Sequence, residues 1–363
     1  MRLDKLKEVV SGISDPRRKY GNRRHKLVDI LVIGLCTVVC KGEDFTDMED
    51  FGREREEWLR GFLELPNGIP DSDTFRRVFE RVNPSELSEA LYSWLGAEHD
   101  KRAVIAIDGK TICGSGNANH KAYHVVSAFV AESQITLGEL AVSEKNNEIS
   151  AVPELLDLID VKGGIVTADA MSCQKEIARK IRDKKADYVV ALKKNHPDLY
   201  DDVRLWFETE IAEQSSVTRD KCHGRVETRE YFLSTDIDWL PQKPLWSGLS
   251  AIGAVRSTVF EKEATYNEMR YYLTSLTDAK EFAHAVRSHW AIENQLHWHL
   301  DVTFGEDGSR ARKDNSPLNL NVLRKTALQM LKAADWGRIG LKKKMFIATL
   351  NPAKLLEVLF CGK

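Results

Sequence analysis

The stretch Ala103-Val104-Ile105-Ala106-Ile107-Asp108-Gly109-Lys110 runs five apolar residues directly into a carboxylate and a glycine. A continuous apolar run of this length is typical of a strand buried on both faces of a sheet. The stretch Gly163-Gly164-Ile165-Val166-Thr167-Ala168-Asp169-Ala170 repeats the pattern. Two buried strands are therefore predicted to deliver Asp108 and Asp169 to their carboxyl ends. Clusters of carboxylate oxygens at such places bind hard divalent cations.

The elements around these two strands predict an α/β fold. Strands are predicted at 103–107, 123–130, 134–142, 164–168 and 188–192, and helices at 152–159 and 173–184. The second and third strands are close enough to form a hairpin. The order β-β-β-α-β-α-β indicates a mixed sheet flanked by helices.

The remaining chain divides into three further segments. Apolar residues recur at helical spacing within residues 1–95, which predicts a helical N-terminal domain. Alternating strands and turn residues at about 201–280 predict a β-rich insertion within an α/β domain at 100–336. Helical patterns return at 279–300 and from Pro317, and 337–363 is predicted to be a basic, helical C-terminal tail.

Composition narrows the class of protein without identifying it. The 363 residues carry a formal net charge of −2 and include six scattered cysteines with no CxxC pair. A disulfide framework and a structural zinc site are therefore poorly supported. Leu27–Val39 is apolar but shorter than the roughly 18 residues that a membrane span needs, and it contains Asp29. Together with a charged amino terminus, these features predict a cytoplasmic protein without a membrane anchor.

A third acidic residue lies on a late predicted helix. The run 287–298 contains Glu293, with His297 four residues later on the same helix face. An isolated glutamate on a helix is usually solvated, but two tryptophans and Ile292 indicate that this helix packs on the sheet. A carboxylate near that surface needs a partner, and a metal held by Asp108 and Asp169 would be one.

Taken together, these motifs resemble the DDE insertion-sequence transposases of the H-repeat-associated type, within the RNase H-like transposase and integrase superfamily. The resemblance rests on motifs spread in order over nearly the whole chain. They are Ile-Asp-Gly-Lys at 107–110, Thr-Ala-Asp-Ala-Met at 167–171, Ala-Leu-Lys-Lys-Asn at 191–195, His-Gly-Arg-Val-Glu-Thr-Arg at 223–229, His-Trp-Ala-Ile-Glu-Asn at 289–294, Leu-His-Trp at 296–298, Asp-Val-Thr-Phe at 301–304, Glu306-Asp307 and Asn319-Leu320.

The resemblance implies a catalytic and metal-binding triad of Asp108, Asp169 and Glu293 on an RNase H-like sheet. It implies Mg²⁺ as the cofactor, replaceable by Mn²⁺, with Asp108 bridging two ions that activate one oxygen and stabilise another. The implied reaction is cleavage at insertion-sequence ends and transfer of the 3′-hydroxyl into target DNA. The implied partners are double-stranded DNA, comprising the inverted-repeat ends and the target, and a second copy of the chain on that DNA.

The resemblance has one departure. Many relatives carry Tyr, Arg and Lys at minus seven, minus four and plus seven from the glutamate, whereas this chain has Val286, His289 and Leu300. Arg287 or His297 could substitute for the missing basic groups.

Several polar residues beside the predicted acidic site are candidates for DNA contact, because their side chains donate hydrogen bonds to phosphate oxygens. They are Lys110, Lys193, Lys194, Asn195, Arg225, Arg229, Arg287 and His297. Each could equally be an ordinary surface residue. Binding through phosphate contacts would weaken steeply with salt.

Three other functions fit parts of the sequence. A catalytically silent DNA-binding relic or regulator of transposition would keep the fold and lose the chemistry. A zinc hydrolase would use Glu293, His297 and His299, although residues two apart on a helix face different directions. A plain RNase H-like nuclease would cleave without strand transfer. Metal preference and a strand-transfer assay distinguish these alternatives.

Overall fold

The computed structural model describes residues 2–18, 23–96, 98–116, 121–142, 148–210, 214–222, 225–261 and 264–360. Within them, nine strands form one mixed sheet in the order β3-β2-β1-β4-β5-β9-β8-β7-β6. The strands are β1 (Val104–Thr111), β2 (His124–Val130), β3 (Ile135–Val142), β4 (Ile165–Ala168), β5 (Asp187–Leu192), β6 (Gln214–Cys222), β7 (Arg225–Ser234), β8 (Ala251–Glu261) and β9 (Ala264–Thr274). The predicted mixed sheet flanked by helices is confirmed.

The first five strands form the half of the sheet that carries both aspartates. β2 and β3 are antiparallel neighbours, as the predicted hairpin requires. β1 is antiparallel to β2 and parallel to β4, which is parallel to β5. Strand residues alternate between faces. Val104 and Ala106 therefore pack toward one layer of helices, while Ile105 and Ile107 pack toward the other.

The β-rich segment extends this sheet. β9 pairs antiparallel with β5, and β8, β7 and β6 follow as antiparallel neighbours. Residues on the same face of β5 and β9 therefore lie beside one another. The segment lengthens the surface next to the aspartates.

Thirteen α-helices occur in the described part of the chain. They are α1 (Arg2–Ser11), α2 (Leu27–Val39), α3 (Phe45–Glu54), α4 (Glu56–Arg60), α5 (Ser72–Phe79), α6 (Pro84–Leu95), α7 (Glu148–Leu158), α8 (Lys175–Asp183), α9 (Pro197–Thr209), α10 (Ala279–His289), α11 (Ser316–Ala333), α12 (Leu341–Leu350) and α13 (Pro352–Leu359). α7, α8 and α9 cover one face of the sheet, and α10 and α11 cover the other.

Two predicted helix boundaries are wrong. The helix predicted at 152–159 begins at Glu148, so Pro153 lies inside α7 and not at its start. The helix predicted at 279–300 keeps α-helical geometry only to His289, and residues 293–297 and 299–303 form two π-helical turns. A turn of this kind contains an extra residue, which a 3.6-residue hydrophobic period cannot reveal.

The N-terminal and C-terminal helices share one hydrophobic core. Apolar side chains of α1, α2 and α6 pack with those of α11, α12 and α13, and this core reaches the sheet at Ala106 and Phe129. The segment predicted as a basic tail therefore contributes buried residues, among them Met345 and Leu355. The predicted helix at Leu27–Val39 is present and buried. No helix in the described ranges combines the length and hydropathy that a membrane crossing requires.

Candidate active site

Asp108 and Asp169 lie side by side because of the strand register. Ile107 of β1 is paired with Ala168 of the parallel strand β4, so an aspartate comes next in each segment. Asp169 directly follows the end of β4, as predicted, but Asp108 lies within β1, which continues to Thr111 as the partner of β2. Alternation places Asp108 on the same face as Ala106, and Asp169 on the same face as Thr167. Both carboxylates therefore face α10 and the π-helical turns that follow it.

The first π-helical turn brings the predicted third carboxylate to Asp108, and Asp169 lines the same cleft. Glu293 and His297 are both in this turn. Ligand atoms of Asp108, Glu293 and His297 all lie within 4.8 Å of one another. The Nδ1 atom of His297 is 3.3 Å from a Glu293 oxygen and 3.7 Å from an Asp108 oxygen.

The loop that carries Asp169 is fixed from two sides. One Asp169 oxygen accepts hydrogen bonds from the backbone N–H groups of Met171 and Ser172, at 3.0 and 3.1 Å. Asn195, after β5, donates its side-chain amide to the carbonyl of Ala170 at 2.8 Å. These bonds leave the other Asp169 oxygen for a ligand in the cleft.

Burial and repulsion between the carboxylates change the pKa values in this cluster. Burial, followed by the negative charges of Glu293 and Asp169, raises the pKa of Asp108 to about 7. The hydrogen bond with His297 lowers the pKa of Glu293. Three carboxylates that share one cleft repel one another unless a cation or a proton intervenes. A hard divalent cation, which prefers oxygen ligands, fits this donor set.

The carboxylates lie in a cleft of about 260 Å³ that sequence reasoning described only in part. Lys193, a candidate for DNA contact, lines it together with Trp290 of the motif at 289–294 and with Arg270, which was not singled out. The Arg270 guanidinium lies 5.3 Å from the centroid of the Trp290 ring and forms two 2.8 Å bonds with Glu268. The strand pattern could have revealed Arg270, because it shares the face of Tyr272 on β9.

Comparison with known proteins identifies the family. The model of the "Transposase DDE domain" matches residues 99–330, and that of the "DDE_Tnp_1-associated" domain matches residues 7–95. The chain belongs to the DDE transposase family. It is 39% identical to "Putative transposase YncI" of Escherichia coli O157:H7, over 99% of this chain and 95% of that protein.

A second relative supports the H-repeat type. The transposase is 36% identical to "H repeat-associated putative transposase YhhI" of Escherichia coli strain K12, over 99% of this chain and 98% of that protein. Among solved structures, a piggyBac transposase synaptic complex with hairpin DNA aligns at a TM-score of 0.41 and 11% identity, over 99% of this chain and 78% of that one.

The three residues that replace the usual Tyr, Arg and Lys supply no positive charge in this transposase. Val286 and Leu300 are buried in the core. His289 bonds through Nδ1 to the Thr167 hydroxyl at 2.9 Å, and burial lowers the pKa of His289 to about 4. His289 is therefore neutral near pH 7, and the positive charge in the cleft comes from Lys193 and Arg270.

Two residues predicted to contact DNA have different surroundings. Lys110 is only 11% exposed, and its Nζ is 2.7 Å from Asp301 and 3.2 Å from Glu306. His297 is 4% exposed and lies between Asp108 and Glu293. Neither side chain offers a free donor to DNA on the surface. Alternation explains Lys110, which shares the face of Asp108 and points into the helical layer.

The other predicted contact residues lie at the surface around the cleft. Lys194 is exposed and follows Lys193 in the turn after β5. Arg229 and Arg287 both bond to Asp220, at 2.6 and 3.0 Å, in a groove that adjoins the cleft through Arg270 and Trp290. The side chain of Arg225 lies outside the described residues.

The structure does not bring Glu293, His297 and His299 together as the three ligands of a zinc ion. His299 bonds through Nδ1 to the Thr303 hydroxyl at 3.0 Å and is not part of the group formed by Glu293, His297 and Asp108. A site with one imidazole and several carboxylates favours harder ions than zinc.

Proposed function

We propose that this transposase cleaves DNA at the ends of an insertion sequence and joins the 3′ end to target DNA. In this proposal Asp108, Asp169 and Glu293 hold Mg²⁺, or Mn²⁺ in its place. The observation that supports it most strongly is the convergence of β1, β4 and the first π-helical turn on one cleft, which gathers three carboxylates.

The residues of the chain have separable roles in the proposed reaction. Bound divalent ions supply activation of the attacking oxygen and stabilisation of the leaving oxygen of a phosphodiester. His297 orients the Glu293 carboxylate by its hydrogen bond. Asn195 fixes the loop of Asp169. Lys193 and Arg270 place positive charge where a phosphate would enter, which stabilises negative charge in a partly water-excluded site.

The DNA path is proposed to run from the cleft along the adjoining groove. Lys193 and Lys194 then contact phosphates beside the carboxylates, and Arg229 and Arg287 contact phosphates in the groove. Arg229 and Arg287 share Asp220 in the free protein, so a phosphate would take the place of that carboxylate. Two ends must be joined in one event, and we propose that two copies of the chain act together on DNA.

Replacing Lys193 and Arg287 together with alanine is expected to weaken binding of end DNA. Each lost phosphate contact should reduce the slope of log K against log salt by about 1. Fluorescence anisotropy over a range of salt concentrations measures both quantities. Lys101→Ala is the control, because exposed Lys101 precedes β1 at the opposite end of the strand. An equal effect of Lys101→Ala would contradict the proposed path.

A strand-transfer assay with candidate inverted-repeat ends tests the function directly. Joined product is expected with Mg²⁺ or Mn²⁺, and none with a chelator or with Zn²⁺ alone. Cleavage without joining would identify a nuclease. End binding with no cleavage in any metal would favour the catalytically silent relic or regulator.

A further inference from the structure

The segment that carries Glu293 departs from α-helical geometry over most of its length. Residues 293–297 and 299–303 form two successive π-helical turns. Such turns are rare, occur frequently at functional sites and persist only where their surroundings hold them. Glu293 and His297 both belong to the first turn. Whatever holds these turns therefore also sets the direction of the two side chains.

A lysine on α11 holds the first turn. Lys332 donates from Nζ to the backbone carbonyl of Gln295 at 2.6 Å, and its distance to the side-chain oxygen of Gln295 is 3.4 Å. Gln295 lies midway between Glu293 and His297. The ammonium group is also 5.8 Å from the ring centroid of Phe129, a buried residue of β2. An ammonium group in such surroundings is costly unless it is hydrogen-bonded, so its position is strongly specified.

A second lysine holds the other turn to the catalytic strand. Lys110 follows Asp108 by two residues on β1, and its Nζ lies 2.7 Å from Asp301 in the second π-helical turn. The same ammonium group lies 3.2 Å from Glu306, which is fully buried. This contact therefore links the strand of Asp108 directly to the segment of Glu293.

We propose that Lys332 and Lys110 are positioning residues that hold segment 293–303 so that Glu293 stays within reach of Asp108. The inference rests on the proposed function of the carboxylates and adds to it the two groups that fix their relative placement. Neither lysine lines the cleft that contains the carboxylates. Their effect is on geometry, and displacement of a catalytic group by about 1 Å can cost about 100-fold in rate.

Lys332→Met tests the first contact, because methionine keeps the apolar stem and removes the donor. The turnover number for cleavage of end DNA is expected to fall by about tenfold or more, while the Kd for end DNA changes by less than about twofold. Hydrogen exchange read by mass spectrometry should become faster in peptides that cover 293–303. Lys332→Arg, which restores a donor, should recover part of both effects.

Lys344→Met is the matched control. Lys344 is also a buried lysine that donates to backbone carbonyls, those of Leu331 and Ala334 at 2.8 and 2.5 Å, and neither carbonyl belongs to segment 293–303. This variant should destabilise the protein and leave exchange in the segment unchanged. Equal effects of Lys344→Met and Lys332→Met on turnover and on exchange would overturn the proposal, as would normal turnover in Lys332→Met.

Lys110→Met and Lys110→Arg test the second contact in the same two measurements. The methionine variant should speed exchange at 299–303 and lower turnover, and the arginine variant should restore both in part. Exchange that stays unchanged in Lys110→Met would overturn this half of the proposal. A wild-type protein that cleaves no DNA would refute the proposed function, whereas the exchange measurement would still decide whether the lysines hold the segment.

Discussion

Asp108→Asn is expected to abolish cleavage of end DNA, with a loss of at least about 1000-fold, or about 4 kcal/mol of transition-state stabilisation. Asparagine has nearly the same shape, so the strand register and the groove should be unchanged. It lacks the negative charge and the second carboxylate oxygen that a divalent cation needs. Gel assays with labelled ends measure cleavage, and anisotropy should show end binding within about twofold of wild type.

The same substitution should stabilise the metal-free protein above neutral pH. Burial and the charges of Glu293 and Asp169 raise the pKa of Asp108 to about 7. A carboxylic acid with a raised pKa in the folded state stabilises the fold at low pH, and this contribution is lost as pH rises through about 7. Thermal unfolding in a chelator at about pH 5 and about pH 8 should show a smaller decrease in Tm for Asp108→Asn than for wild type.

Two results would contradict the role of Asp108. Retained Mg²⁺-dependent cleavage in Asp108→Asn would remove it from the reaction. Loss of end binding together with cleavage would indicate a damaged groove. Asp169→Asn and Glu293→Gln should behave as Asp108→Asn does in cleavage, because the three carboxylates share one cleft.

Alternation along the strands assigns more residues to the face of the carboxylates than the two aspartates for which it was used. Alternation from Asp108 assigns Lys110 to the face that the helices cover. The same rule on β9 places Arg270 with buried Tyr272, on the side of the carboxylates. The face on which each of these residues lies depends only on local periodicity, so it could be predicted from the sequence.

The placement of Glu293 relative to Asp108 depends on information that local patterns lack. The π-helical turns shift residues 293–303 relative to an α-helix, and tertiary contacts from Lys332 and Lys110 accompany them. These lysines lie 39 residues after and 183 residues before Glu293 along the chain. A helix period read from neighbouring residues cannot detect such distant partners.

The insertion illustrates a second limit. Alternation correctly predicted strands in residues 225–232, 251–260 and 268–274. It could not show that β9 pairs with β5 and so extends the catalytic sheet, because pairing between distant strands is decided by tertiary packing. The groove beside the cleft follows from that pairing.

Glu306→Ala is expected to reduce the free energy of unfolding by about 3–5 kcal/mol, since removal of one partner leaves buried charges uncompensated. Glu306 is fully buried; its oxygens lie 3.2 Å from the Nζ of Lys110 and 3.5 Å from a guanidinium nitrogen of Arg324, and Asn321 donates to it at 2.8 Å. Alanine removes the acceptor from all three. Urea unfolding followed by circular dichroism measures the difference.

The pH dependence of that loss identifies its cause. Burial alone would raise the pKa of Glu306, but the charges of Arg324 and Lys110 outweigh burial and lower the pKa below its ordinary value of 4.5. A lowered pKa means that the carboxylate stabilises the fold above that value and loses this contribution as pH falls through the folded pKa. The difference between Glu306→Ala and wild type should therefore be largest near pH 7 and shrink in acid. Asp157→Ala, which breaks an exposed ion pair with Lys180, should cost less than about 1 kcal/mol at either pH. A loss for Glu306→Ala that is equally small at pH 7 would show that the buried cluster does not contribute to stability.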